Sequence, residues 1–158
     1  MIQSVWWVVY KIENGQPLFF IIKRKAISGK IEWVAPKGKM IENESKELTC
    51  VREISEETGM DINKLNVKKA IGEIELKNMV FDNDREGKVI SYYLVLYLWD
   101  INDPTIKLEE WFTGNYKRAD IHTVLNLVPY KDLRNIFRNA YENVQKEINV
   151  QKAMSTIL

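Results

Sequence analysis

Residues 38–60 read GKMIENESKELTCVREISEETGM. Leu48, Val51 and Ile54 recur at three-residue spacing, and Gly59 supplies a stop, so the pattern predicts a helix over Ser45–Thr58. At about 100° per residue, Glu53, Glu56 and Glu57 share one helix face. The apolar trio falls on the opposite side, which is the side expected to meet a core. Like charges at i, i+4 cost a few tenths of a kcal/mol. Anions near a helix C-terminus also oppose the macrodipole. A divalent cation relieves both costs, and clustered carboxylate oxygens suit the hard cations Mg²⁺ or Mn²⁺. Arg52 is placed to orient one carboxylate through a forked hydrogen bond. Taken alone, three glutamates also fit a solvated acidic face. Cys50 reads as a small packing residue.

Outward from this helix, Ser4–Ile12 (SVWWVVYKI) and Pro17–Lys25 (PLFFIIKRK) are rich in β-branched and aromatic residues and read as strands. Asn14-Gly15 between them signals a hairpin turn. Residues 26–43 read as loop and short strand. Val67–Val80 and Lys88–Trp99 read as two long strands around a polar turn, and Glu110–Thr113 as a short one. Arg118–Leu127 and Tyr130–Ile148 read as helices, the second with Leu133, Ile136, Phe137, Ala140, Tyr141 and Val144 on one face. The order predicts an α+β class with mixed strands and a few helices. One domain spans residues 1–150, and 151–158 are expected to form a frayed tail.

The chain has 158 residues, 46% hydrophobic and 28% charged, which excludes wholesale disorder. Its net charge of +1 excludes a strongly basic polyanion binder. That total conceals segregation: residues 1–41 carry seven basic and two acidic side chains, while 42–61 carry two basic and seven acidic. The single cysteine allows no intrachain disulfide and fits a reducing compartment. No apolar run is long enough for a signal peptide or a membrane span. The expectation is a cytoplasmic protein with no membrane partner.

The spacing Gly38, five residues, Glu44, seven residues, Arg52-Glu53-Ile54, one residue, Glu56-Glu57, one residue, Gly59-Met60 resembles the Nudix box, GX5EX7REUXEEXGU with U aliphatic. All nine fixed positions match. The resemblance extends over about residues 3–148 and implies the Nudix fold, a mixed β-sheet core sandwiched between α-helices. It implies metal-dependent hydrolysis of a P–O–P bond in a nucleoside diphosphate linked to another moiety. By the same resemblance Glu53, Glu56, Glu57 and the Gly38 carbonyl are metal ligands. Glu53 orients or deprotonates water, Arg52 serves the catalytic set structurally, and Glu44 supports the loop–helix junction. A glutamate outside the box is sometimes the base, for which Glu109 and Glu110 are the candidates, Glu110 also as a metal ligand. The residue before Glu44 is Asn43 where relatives often carry Gly, and Asn tolerates the left-handed conformation.

Trp33-Val34-Ala35-Pro36-Lys37-Gly38-Lys39 looks like the lead-in of the diadenosine-polyphosphate hydrolase branch. That implies a nucleotide polyphosphate substrate such as diadenosine tetraphosphate, cleaved to NTP and NMP, with Lys37 and Lys39 on phosphate. Lys23 or Lys25 is a further candidate cation for the polyphosphate chain, although Lys23-Arg24-Lys25 also fits a solvated strand end. Tyr93 is the candidate for base stacking among aromatic residues that mostly read as core. His122 reads as a surface or capping residue. A MutT-like triphosphate pyrophosphohydrolase and a catalytically silent nucleotide sensor stay open as alternatives, as do capped-RNA and diphosphoinositol substrates. No stable nucleic-acid partner is expected, and monomer and homodimer both fit.

Overall fold

The computed structural model describes residues 2–25, 28–41, 43–81, 84–98 and 112–157. Trp99, Glu109, Glu110 and Trp111 lie outside the described residues, as does the side chain of Lys39. Strands β1 (Ile2–Glu13) and β2 (Gln16–Lys25) form the expected hairpin. Asn14 and Gly15 turn it with φ of 53° and 74°, the paired positive values a two-residue turn requires. Short strands β3 (Ile31–Val34) and β4 (Lys37–Lys39) precede helix α1 (Lys46–Thr58). A 3₁₀ turn at Ile62–Lys64 leads into β5 (Leu65–Phe81) and β6 (Asp84–Tyr97). Strand β7 (Phe112–Ala119) and helices α2 (Ile121–Leu127) and α3 (Lys131–Ile157) complete the order.

The sheet runs β3-β2-β1-β6-β5, with β4 on β1 and β7 on β2. Central β1 pairs antiparallel with β2 and β4 but parallel with β6, from Ile2↔Lys88 to Tyr10↔Leu96. The sheet is therefore mixed, as expected for this α+β fold. Buried on both faces, β1 reads as a continuous apolar run. Its alternation assigns the layers. Tyr10 donates to Glu147 Oε2 of α3 at 3.1 Å, whereas Trp7 is level with Tyr93, whose phenol faces Glu47 and Cys50 of α1. The sheet is thus sandwiched between α1 on one face and α3 on the other.

Two boundaries and one helix orientation differ from expectation. Arg118 and Ala119 belong to β7, paired with Phe20 and Phe19, rather than to a helix. The helix starts only after Asp120, whose carboxylate accepts from Thr123 N at 2.8 Å. Helix α3 continues through Ile157, across the residues assigned to a frayed tail, although its burial ends at Ile148. The third difference concerns α1. Leu48 is 61% exposed, and the buried positions are Thr49, Cys50, Ile54, Glu57 and Thr58. The helix is rotated so that part of its carboxylate face turns inward. An Ile54→Ala variant is expected to lose about 2–5 kcal/mol in urea unfolding, whereas Leu48→Ala stays within about 0.5 kcal/mol of wild type.

Candidate active site

Helix α1 begins at a built junction. Asn43 adopts φ 66°, and Glu44 N donates to the Ile41 carbonyl at 3.1 Å. The Ser45 hydroxyl caps the helix by accepting from Leu48 N at 3.1 Å. Gly59 at φ 73° ends it in the left-handed conformation.

Arg52 organises what lies between. Its Nε donates to Glu44 Oε2 at 2.7 Å and its Nη2 to Glu44 Oε1 at 2.8 Å, a forked pair. Its Nη1 donates to Glu53 Oε1 at 2.7 Å and to Glu56 Oε2 at 3.2 Å. One guanidinium therefore fixes three carboxylates rather than one. Thr49 Oγ1 adds a 2.6 Å bond to Glu44. These hydrogen bonds push the Glu44 pKa down to about 2, and Arg52 is shifted upward in return. The like-charge cost along the helix is offset inside the protein itself.

The structure places the other box residues differently from one another. Glu57 is only 3% exposed and turned inward, whereas Glu56 is exposed. Glu53 lies against β4, where a Cβ added to Gly38 would stand 2.3 Å from Glu53 Cγ. Only glycine lets the strand backbone come so close to this carboxylate. Among the described residues, no three acidic, His or Cys side chains converge as a ready-made metal cage. The donors are nonetheless hard oxygens beside an approachable backbone. That fits Mg²⁺, which is bound through one or two carboxylates with waters and substrate phosphates completing its shell.

One residue before Gly38, Lys37 turns to the opposite face of the sheet, its Nζ 5.3 Å from the Trp6 ring centroid. There it lines a cavity of about 320 Å³ with Trp6, Arg24, Lys88, Tyr92 and Tyr130, closed by Asp132 and Leu133 at the start of α3. Trp6 and Tyr92 pack with centroids 5.7 Å apart and planes inclined at 55°. Tyr93 is buried against α1, on the other face, so the strand alternation gives the cavity Tyr92 instead. Arg24, Glu32, Tyr130 and Asp132 share no spacing signature, because they come from separate elements. A wider groove of about 590 Å³ beside the β1–β2 turn shares no residue with this cavity or with α1. Cys50 is fully buried, with burial raising its thiol pKa, in keeping with packing. His122 is exposed, and the cap of α2 is Asp120.

The Arg52–Glu44 pair sets a pH dependence. Glu44 ionises more readily folded than its ordinary value of 4.5, so its stabilisation is complete above that value and disappears as pH falls toward 2. Wild type is expected to lose stability across that acid window in pH-resolved urea melts. Glu44→Gln should remove this component of the slope.

The family model for the NUDIX domain matches residues 2–147. The mRNA-decapping protein g5R of African swine fever virus (strain Badajoz 1971 Vero-adapted) is 34% identical over 97 residues, 61% of this chain and 37% of that protein. The chain thus spans little more than a third of that relative. Among solved structures, a Caenorhabditis elegans Ap4A hydrolase binary complex superposes with a TM-score of 0.69 at 18% identity, covering 88% of this chain and 94% of that one. The NUDIX domain of Shewanella oneidensis NrtR complexed with ADP ribose superposes with a TM-score of 0.68 at 18% identity, covering 91% and 88%. These two likenesses concern the fold. With the full box present and the domain match extending over nearly the whole chain, this protein belongs to the NUDIX domain family.

Proposed function

We propose that the protein is a Mg²⁺-dependent pyrophosphohydrolase acting on a dinucleoside polyphosphate. The observation that carries this reading is the alternation of β4. Gly38 meets the carboxylate of Glu53 on one side, and Lys37 enters an aromatic, cationic cavity on the other. A nucleoside in that cavity would run its phosphate chain past Lys37 and around the open edge of β4 to the α1 face.

In this reading Glu53, Glu56, Glu57 and the Gly38 carbonyl would hold the metal, which would supply charge neutralisation on the bridging phosphates. Arg52 keeps Glu53 and Glu56 in place. Glu53 orients the attacking water and accepts its proton. The water oxygen bonds to one phosphorus, the P–O–P bridge breaks, and the bridging electron pair leaves with the departing phosphate. Such transfer depends mainly on positioning and electrostatics, which this arrangement provides. Lys37, with Lys39 beside it in sequence, holds the phosphate chain. Tyr93, the base-stacking candidate, packs against α1 on the face away from this cavity, whose aromatic wall is Trp6 and Tyr92. Glu110 is proposed as an accessory ligand on the strength of the family resemblance alone.

A second reading is favoured by the 34% identity to the viral decapping protein. A capped RNA also joins two nucleosides through a 5′–5′ polyphosphate, so the same chemistry applies.

Glu53→Gln and Glu57→Gln are expected to abolish Mg²⁺-dependent turnover while retaining wild-type circular dichroism. Wild-type rates in either variant would remove that glutamate from the metal set. Gly38→Ala should displace Glu53 and lower kcat about 100-fold. In a substrate panel with product identification, dinucleoside tetraphosphates should exceed dATP and dGTP in kcat/KM. Better turnover of single nucleotides would favour a triphosphate pyrophosphohydrolase, and preferred cleavage of capped RNA would favour the second reading.

A further inference from the structure

Glu32 is an ionisable side chain buried to 2% exposure, outside the box and away from α1. Arg24 Nε and Nη2 both donate to its Oε1, at 3.0 and 2.9 Å, and the Tyr130 hydroxyl donates to its Oε2. The same guanidinium lies 5.6 Å from the Trp6 ring centroid and lines the cavity. A buried ion pair is a costly way to stabilise a strand pair, since desolvation consumes much of the Coulomb energy. Its effect on Arg24 is specific. Glu32 cancels the local charge, which makes Arg24 a poor electrostatic clamp for phosphate. It also fixes the plane of the guanidinium, which makes Arg24 a directional donor. Lys37 and Lys88 line the same cavity as point charges, the form of cation suited to phosphate.

We infer that Arg24, locked by Glu32 and Tyr130, reads the base of the bound nucleoside and that this base is guanine. The cavity's volume of about 320 Å³ sits at the lower end of the roughly 300–1,000 Å³ of small-molecule sites, enough for one nucleoside. Trp6 and Tyr92, 7% and 2% exposed, pack on each other as the aromatic floor of the cavity beneath Arg24 and Lys37. Arg24 contributes only donors, and Asp132 is the carboxylate at the cavity edge. Guanine presents two acceptors, O6 and N7, and the end-on Nη1 and Nη2 hydrogens of Arg24 form the fork that would read them, its Nε side being held by Glu32. Its N1–H and N2 amino group are donors suited to a carboxylate. Adenine would set its N6 amino group against the donors of Arg24. The inference rests on reading this cavity as the substrate cleft, and it names a base that the sequence leaves open.

The test compares wild type, Arg24→Lys and Asp132→Asn. Lysine keeps the charge and loses the fork, and Asp132 is an exposed position where the amide should not disturb folding. Isothermal titration with GMP and AMP measures base choice without turnover. The ratio of kcat/KM for diguanosine over diadenosine tetraphosphate measures it with turnover. Wild type should favour guanine by about tenfold or more in both assays, and each variant should bring the ratio toward one. Equal binding of GMP and AMP by wild type, or no binding of either, overturns the inference. An unchanged ratio in Arg24→Lys with both substrates weakened alike would make Arg24 a phosphate contact and overturn it too. If no polyphosphate is hydrolysed yet GMP is preferred and the variants lose that preference, the hydrolase reading fails while this one stands.

Discussion

Everything in the candidate site depends on how one guanidinium is shared. Arg52 forks onto Glu44 in the loop before α1 and places its third nitrogen on Glu53 and Glu56 along the helix. The fork ties the loop to the helix, and the third nitrogen holds two carboxylates whose mutual repulsion would otherwise splay them. Lysine could supply the charge but not this geometry, because its ammonium has no planar fork. The position of Glu53 then constrains β4, where any side chain larger than hydrogen at residue 38 would collide with it. Fixing Arg52 therefore fixes the loop, the helix and the strand that faces it.

Strand β4 does the complementary work. Three residues long, it uses the two-residue period of extended chain to serve both faces of the sheet. Gly38 admits the backbone to the carboxylates, and Lys37 delivers a cation to the cavity on the far side. The basic and acidic blocks of the sequence meet at this strand. Their near cancellation in net charge is the sum of two opposite environments at one edge of the fold. The cavity takes part of its polar wall from Arg24 and Tyr130, which Glu32 behind them ties together across β2, β3 and the chain entering α3.

Much of the fold was legible because local rules and the tertiary solution agree. The β1–β2 hairpin follows from two β-rich runs around Asn14-Gly15, and α1 follows from Ser45, Gly59 and the apolar spacing between them. The α1 interior was harder. Leu48, Val51 and Ile54 suggest a dry face opposite the glutamates, yet Leu48 is exposed and Glu57 buried. Periodicity locates an apolar stripe, but helix rotation is set by what the helix must pack against, here β4 and β1. Similarly, the polar chemistry of Arg118–Leu127 concealed a strand end, because pairing with β2 decides residues 118 and 119.

By itself, the sequence determined the box, its carboxylates and arginine, and the glycine among them, because these act within one continuous stretch whose spacing is visible. It also determined the fold class, since alternating and helical periods survive in the linear pattern. Only the tertiary structure decided that β1 and β6 run parallel, which sets Trp6 beside Tyr92 from residues 86 positions apart. That pairing sent Tyr92 rather than Tyr93 to the cavity, while the β2–β3 register set Arg24 opposite Glu32 and the start of α3 brought Tyr130 and Asp132 beside them. Long-range contacts of this kind leave no local periodicity, because the register that creates them is chosen by burial across the whole sheet.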